Sequence, residues 1–168
     1  MEQMRLKEKQ YIPNEFKIYA EKKQAKTSMP LHWHEYFEAE LILEGKGTQN
    51  LNGKNYSLQK GALYFLTPAD FHEICVEEPL QLYNVSFALS TISLPFLEQV
   101  IHHEKRFFYP AKAEYTRLLH LMDLLADACG NGLLDQNYPN SLLHCLLICF
   151  TQLLGDQQSS AKTLPGHQ

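Results

Sequence analysis

Positive charge is scarce in this 168-residue chain, and most of it lies near the beginning. From Ala113 to the C-terminus the only basic side chains are Arg117 and Lys162. The formal net charge is −4 at pH 7. Direct binding to nucleic acid normally requires clustered lysine and arginine. The sequence therefore predicts no DNA-recognition helix in this chain.

Long apolar runs and paired cysteines are also missing. No run of about 18 apolar residues occurs, so the sequence predicts no membrane-spanning helix. The first residues, Met1–Arg5, lack the apolar core of a signal peptide. The four cysteines lie at positions 75, 129, 145 and 149 and form no Cys-x-x-Cys pair. We interpret them as reduced core residues of a cytoplasmic protein.

What the chain does contain is two halves with different apolar periods. Residues 16–89 form short alternating segments separated by turn signals such as Asn52-Gly53, a pair typical of tight hairpins. Many short strands with such turns indicate an antiparallel barrel or sandwich. Residues 94–154 have helical spacing, with prolines that mark helix starts. The chain is therefore expected to be mainly β, followed by helices.

Individual boundaries follow from the same signals. We expect a long strand from Leu31 to Leu43 that ends in a turn at Gly45-Lys46-Gly47. Two later strands are expected at His72–Val76 and Leu80–Phe87. The last helix should end at Gly155. The domain plan is then an N-terminal flexible arm at 1–14, a barrel at 15–90, a helical segment at 91–155 and a linker or tail at 156–168.

The most informative motif is His32-Trp33-His34, followed by Glu38. Alternate residues of a strand share one face, so His32, His34 and Glu38 should point the same way. Inside a barrel, two imidazoles and a carboxylate can hold a divalent metal. His72, after the Pro68 loop, is the natural candidate for a further ligand from another strand.

These residues carry a family resemblance. The spacing His32-x-His34-x3-Glu38-x6-Gly45 resembles the first cupin motif, and Gly61 to His72 resembles the second. The second departs from the pattern by one extra residue before Pro68 and by Asp70 in place of the usual glycine. The resemblance implies a cupin fold, the double-stranded β-helix or jelly-roll barrel.

The finer pattern resembles the sensory domain of AraC-type transcription regulators. It consists of His32-Trp33-His34-Glu35, Gly45-Lys46-Gly47, Pro68 with His72, and Ser86-Phe87. The likeness covers roughly residues 14 to 155. It implies small-molecule sensing and homodimerisation through the C-terminal helices. Family members continue into a domain with two helix-turn-helix units, so DNA would be bound only through a domain that this chain lacks.

Three interpretations of the polar cluster remain open. The residues could be hydrogen-bonded polar groups lining a barrel mouth, contacts to an organic effector such as a sugar, or ligands to Zn, Ni, Mn or Fe. The candidate metal ligands are His32, His34, Glu38 and His72. The candidate effector contacts are these four together with Tyr36, Glu40 and Tyr64. A buried Glu40 needs a partner, because an unpaired buried carboxylate is costly.

The last predicted helix, bracketed by Pro139 and Gly155, carries two adjoining apolar stripes. They are Leu142, Leu146, Cys149 and Leu153, and Leu143, Leu147, Phe150 and Leu154. One stripe is enough to pack a helix onto its own domain, so two stripes leave a face for a second partner. A twofold dimer hides such a face, and it is the commonest kind of homo-oligomer. The predicted dimer interface is Leu143, Leu147, Phe150 and Leu154. The alternative is a helix pair buried on its own barrel.

Two functions from different classes fit these residues. The first is an effector-binding and dimerisation domain of a regulator, without enzyme activity. The second is a metal-dependent cupin enzyme, such as a dioxygenase or isomerase. The imperfect second motif and the leucine-rich helices, which a small cupin enzyme does not need, favour the sensor.

Overall fold

The structure is a computed structural model of the chain. It describes residues 4–12, 15, 17–101, 103, 106–131, 135 and 137–161. The first part of the chain is mainly strand and the second part mainly helix, as the change in apolar period predicts. The strands are β1 (Met4–Leu6), β2 (Ile18–Ala25), β3 (Met29–His34), β4 (Phe37–Leu51), β5 (Lys54–Leu58), β6 (Leu63–Leu66), β7 (His72–Phe87) and β8 (Phe107–Phe108).

In the described residues the α-helices are α1 (Glu8–Tyr11), α2 (Leu94–Ile101), α3 (Lys112–Asn131) and α4 (Asn137–Ala161). A short 3-10 turn, Leu89–Thr91, connects β7 to α2. No helix in the described ranges is long and apolar enough to cross a membrane.

All eight strands belong to one sheet, in which the long strands β4 and β7 are the central pair. The path runs β1-β3-β7-β4-β6-β8, while β2 also pairs with β7 and β5 also pairs with β4. Most of these pairs are antiparallel, and β1 runs parallel to β3. This arrangement wraps four strands around β7 and β4, so that their inward side chains face one interior.

Strand parity separates two layers of packing. The odd-numbered residues of the central strands, among them Leu41 on β4 and Val85 on β7, pack with Leu118 and Leu146 of the helices in one large core. The even-numbered Ile42 and Leu82 belong to a second core, beside the interior. The helices therefore cover the outer apolar face of the barrel, while the inner face remains for a site.

The predicted strand boundaries need three corrections. The strand expected at 31–43 is broken at Glu35-Tyr36, between β3 and β4. Strand β4 does not turn at Gly45: it continues to Leu51 through irregular pairing with β7. Gly45 has φ +94°, and a Cβ there would clash with the carbonyl group of Pro79, so glycine permits a bulge instead of a turn. The two strands expected at 72–87 are one strand.

The ends of the chain also differ from the expected plan. Residues of the predicted arm form β1 and α1, and Leu6 and Ile12 are buried. Helix α4 does not end at Gly155 but continues to Ala161, into the predicted tail. Residues 162–168 of that tail lie outside the described residues. Of the four reduced cysteines, Cys75 and Cys145 are exposed rather than in the core.

The predicted dimer residues pack against the barrel of their own chain. Leu143, Leu147, Phe150 and Leu154 are 1%, 2%, 2% and 5% exposed. The ring of Phe150 lies 5.2 Å from that of Phe65 on β6. The assignment of these four side chains to an interface is therefore corrected: both stripes of α4 are used within the chain, because the outer face of the barrel is apolar across several strands.

Candidate functional site

A cavity of about 180 Å³ opens into the barrel. Four strands contribute to its polar lining, with Lys23 on β2, His32 on β3, Glu38 and Glu40 on β4, and His72, Asn84 and Ser86 on β7. Its remaining wall includes tyrosines and apolar side chains, namely Tyr11, Tyr19, Tyr36, Leu6, Met29, Leu80 and Leu82. The cavity thus combines buried charge with aromatic and apolar surface.

One cross-strand row positions Glu40. Glu40 on β4 lies opposite Asn84 on β7 and Tyr64 on β6. Both neighbours donate to its carboxylate, Asn84 through Nδ2 at 2.8 Å and Tyr64 through its hydroxyl group. The Lys23 ammonium lies 3.5 Å from Glu40 Oε1. Register therefore brings three donors to one buried carboxylate.

Glu38 joins this row to the histidines. Asn84 Nδ2 also donates to Glu38 Oε1, at 2.6 Å. The other oxygen, Oε2, lies 3.4 Å from His34 Nε2 and 3.9 Å from His72 Nε2. Ligand atoms of His34, Glu38 and His72 all lie within 4.8 Å of one another. Neither Nε2 atom has a hydrogen-bond partner among the described residues. Both nitrogens are therefore suited to coordinate a cation.

Burial and mutual charge give the site its electrostatics. Burial, reinforced by the charge of Glu38, raises the pKa of Glu40 to about 7. Burial acts on Glu38 in the same direction, but the adjacent His34 and His72 outweigh it and hold the pKa of Glu38 well below its usual range. Burial lowers the pKa of His72 to about 3. Burial also disfavours charged His34, yet the neighbouring Glu38 raises its pKa overall.

The predicted effector contacts divide into two groups. His32, Tyr36, Glu38, Glu40 and His72 line the cavity. The cavity lining does not include His34 or Tyr64. His34 stacks behind Tyr36, with ring centroids 4.4 Å apart, and Tyr64 supports Glu40.

The structure brings three of the four predicted metal ligands together and leaves His32 outside that group. The His32 ring instead packs against His72, with centroids 4.0 Å apart, and its Nδ1 donates to the carbonyl oxygen of Pro30 at 2.8 Å. The inward parity of His32 was predicted correctly, but parity alone does not place its nitrogen at the Glu38 carboxylate.

Lys23 and Asn84 are site residues that the sequence analysis missed. Asn84 and Ser86 share the parity of Leu80 and Leu82, so a signal was present: two polar residues on the buried face of an apolar strand. Lys23 gave no comparable signal, because it lies in a run of polar and charged residues. Its position is decided by the antiparallel pairing of β2 with β7.

Fold and site together define a cupin-type barrel with a polar internal cavity, followed by helices. The AraC-like ligand binding domain family matches residues 17–162, most of the chain. The chain belongs to this family. The match includes β2 to β7 and the long helices, so it covers the polar lining of the cavity as well as the helical layer.

Curated relatives extend the comparison. The chain is similar to the HTH-type transcriptional activator RhaS of Yersinia pestis and of Yersinia pseudotuberculosis, 31% identical over 70 residues. That region is 42% of this chain and 26% of each relative. The chain thus matches about a quarter of the length of these relatives.

Solved structures show weaker likeness. A predicted oxalate decarboxylase from Thermotoga maritima is 27% identical, over 40% of this chain and 64% of that one, with a TM-score of 0.38. The cupin domain of Cnp3 from Schizosaccharomyces pombe is 16% identical, over 54% and 68% of the two chains, with a TM-score of 0.42. Neither likeness carries an argument about function.

The raised pKa of Glu40 predicts how the stability of the fold depends on pH. Its pKa of about 7 in the folded chain lies above the ordinary value of 4.5, so the folded state binds more protons between these two pH values. Its contribution to stability is therefore lost as the pH rises from 5 to 8. We compare the free energy of unfolding in urea of Glu40→Gln with that of wild type. The difference, variant minus wild type, should be larger at pH 8 than at pH 5 by on the order of 2 kcal/mol. Exposed Glu73→Gln is the control, and an equal difference at both pH values would contradict the assignment.

Proposed function

We propose that the chain is the effector-binding domain of an AraC-type transcription regulator, and that its effector is a small uncharged polyol of the sugar class. The observation that carries this proposal is the buried row of Glu38, Glu40 and Asn84 facing a cavity. Carboxylates and amides supply directional hydrogen bonds to hydroxyl groups, and such polar groups fix the orientation of a ligand.

Size and lining support a ligand of this kind. The cavity volume of about 180 Å³ is below the range of roughly 300–1,000 Å³ typical of pockets for drug-sized ligands, so it suits a small effector. Tyr11, Tyr19 and Tyr36 provide aromatic surface, on which the C–H faces of a sugar ring can pack. The pair of carboxylates, with one ammonium group from Lys23, disfavours an anionic effector.

The N-terminal segment links the cavity to the rest of a regulator in this proposal. Leu6 and Tyr11 line the cavity, so a bound effector touches the segment directly. The segment is held by an ion pair between Arg5 and Glu35 and by the Glu8 amide, which donates to Glu35 at 3.2 Å. An effector that binds more tightly when the segment is seated would shift its population, which is what a sensor requires.

A second proposal concerns a metal. We infer that His34, Glu38 and His72 hold a divalent transition metal such as Zn, Ni, Mn or Fe. The unpartnered Nε2 atoms of both imidazoles favour it, because buried imidazole nitrogens normally have a partner. A metal bound there would supply Lewis acidity at the cavity wall, where a hydroxyl group of the effector could coordinate.

A homodimer through α3 and α4 also belongs to the proposal, although through different side chains from those first assigned. On the outer face of the helices, Leu124 is 44% and Ile148 57% exposed, and Cys145 is exposed. Large exposed apolar groups on one helical layer favour a partner, and a second copy is the simplest one. DNA binding would then come from a separate domain in a cytoplasmic regulator. Membership of a ligand-binding family favours binding over the enzyme alternative.

The effector proposal is tested with Lys23→Met and its neighbour Lys22→Met. The ammonium of Lys23 reaches Glu40, whereas the side chain of Lys22 is exposed and its ammonium lies over the Tyr83 ring. Calorimetry with a panel of neutral monosaccharides and sugar alcohols should find a binder. Lys23→Met should weaken that binder at least about tenfold, or 1.4 kcal/mol, while Lys22→Met leaves it unchanged. A panel without any binder, or equal binding by both variants, would oppose the proposal.

The metal proposal is tested by titrating metal-free protein with Zn²⁺, Ni²⁺, Mn²⁺ and Fe²⁺ against a chromophoric chelator. We expect one equivalent of at least one metal to bind, and His72→Gln to reduce its affinity at least about tenfold, because a ligand is lost. His144→Gln, an exposed residue on α4, is the matched control. Equal affinity in all three proteins would mean that the metal lies elsewhere.

The dimer proposal is tested by light scattering on Ile148→Glu. A charge on an exposed side chain of α4 leaves the core intact but cannot be buried in an apolar interface. We expect a dimeric wild type and a folded, monomeric variant whose circular dichroism spectrum is unchanged. Lys54→Glu, in the β4–β5 hairpin, is the control. A variant that remains dimeric would exclude this face of α4.

A further inference from the structure

Gln49 is a fully buried amide that lies directly beside His72. It stands near the end of β4 and is 0% exposed. Its Nε2 lies 3.3 Å from His72 Nδ1. Its Oε1 has no hydrogen-bond partner among the described residues, and neither has the far nitrogen of the same imidazole, His72 Nε2. Two adjacent side chains therefore each carry one unsatisfied atom.

The orientation of the Gln49 amide determines the hydrogen bonding of both unsatisfied atoms. When the Gln49 amide donates to Nδ1, a neutral His72 carries its proton on Nε2, which faces Glu38 Oε2 at 3.9 Å. A half-turn of the amide presents Oε1 instead, and Oε1 accepts a hydrogen bond from a protonated Nδ1. The proton then leaves Nε2, which exposes a lone pair toward Glu38 and His34. Oxygen and nitrogen of an amide have nearly the same size, so both orientations fit one space.

The other two histidines, His32 and His34, are each held in one tautomer. His34 Nδ1 lies 2.6 Å from the carbonyl oxygen of Tyr36, and His32 Nδ1 lies 2.8 Å from that of Pro30. A carbonyl oxygen can only accept a hydrogen bond, so both imidazoles keep their proton on Nδ1. Of these three imidazoles, His72 is the one whose neighbour can act as either donor or acceptor.

We propose that Gln49 is the positioning residue that sets the tautomer of His72, and thereby decides whether His72 Nε2 offers a lone pair to a cation or a proton to Glu38. The amide presents its nitrogen to His72 when the site is metal-free and its oxygen when a cation is bound. The part of this inference that concerns the cation rests on the metal site proposed above; the assignment of the tautomer does not.

The test reads the tautomer itself. Long-range proton–nitrogen spectra of protein with ¹⁵N-labelled histidine distinguish a protonated from an unprotonated ring nitrogen, and His72→Gln identifies the His72 signals. In metal-free wild type we expect the proton on Nε2. When ionised, the glutamate of Gln49→Glu provides only acceptors, so it should move the proton to Nδ1, and Gln49→Met should give a mixture. His34 should remain protonated on Nδ1 in all three proteins, as an internal control.

Zn²⁺ is the probe for the second half of the inference. Addition of Zn²⁺ to wild type should move the His72 proton to Nδ1, and Gln49→Met should bind Zn²⁺ about 10–100-fold more weakly. An identical His72 tautomer in metal-free wild type, Gln49→Glu and Gln49→Met would overturn the role of Gln49. If the tautomer follows the substitutions but wild type binds no metal, Gln49 keeps its role in setting the tautomer and the metal proposal alone fails.

Discussion

Two carboxyl groups, Glu38 and Glu40, are buried two residues apart on one strand, and the polar interior is arranged around them. Asn84 Nδ2 bridges them, at 2.6 Å and 2.8 Å. An uncompensated buried carboxylate costs several kcal/mol, so the fold is stable only if its neighbours supply donors. Those donors come from β2, β6 and β7, and each of these strands must therefore keep its register with the others.

The opposite face of the same strands packs against the helices. Their outward-facing residues, such as Ala20 on β2, Phe65 on β6 and Val85 on β7, share a single apolar core with α3 and α4. The barrel and the helices are thus one packing unit, and a change at the cavity can reach the helical layer through a single strand thickness. Because the buried stripes of α4 are committed to this contact, a second copy of the chain can meet only the outer side chains, such as Ile148.

Sequence reasoning reached the mainly β architecture and the helices. It also reached the inward direction of His32 and Glu38, because strand parity is a local property, whereas His72 was found from its place after the Pro68 loop. It succeeded even though β3 and β4 are separate strands. It could not find Gln49, because the bulges after Ile42 reverse the parity of β4, so that an odd-numbered residue points inward there. Bulges and cross-strand register depend on the partner strand, and they are not encoded in local periodicity.

A crystal structure of the domain with its bound neutral sugar tests the central claim most directly. The account places the sugar inside the barrel, with hydroxyl groups within hydrogen-bonding distance of Glu40 and Asn84, and with Tyr11 against the ligand. A sugar bound outside the barrel, or a barrel interior in which the Glu38 and Glu40 side chains point to different faces of the sheet, would contradict it.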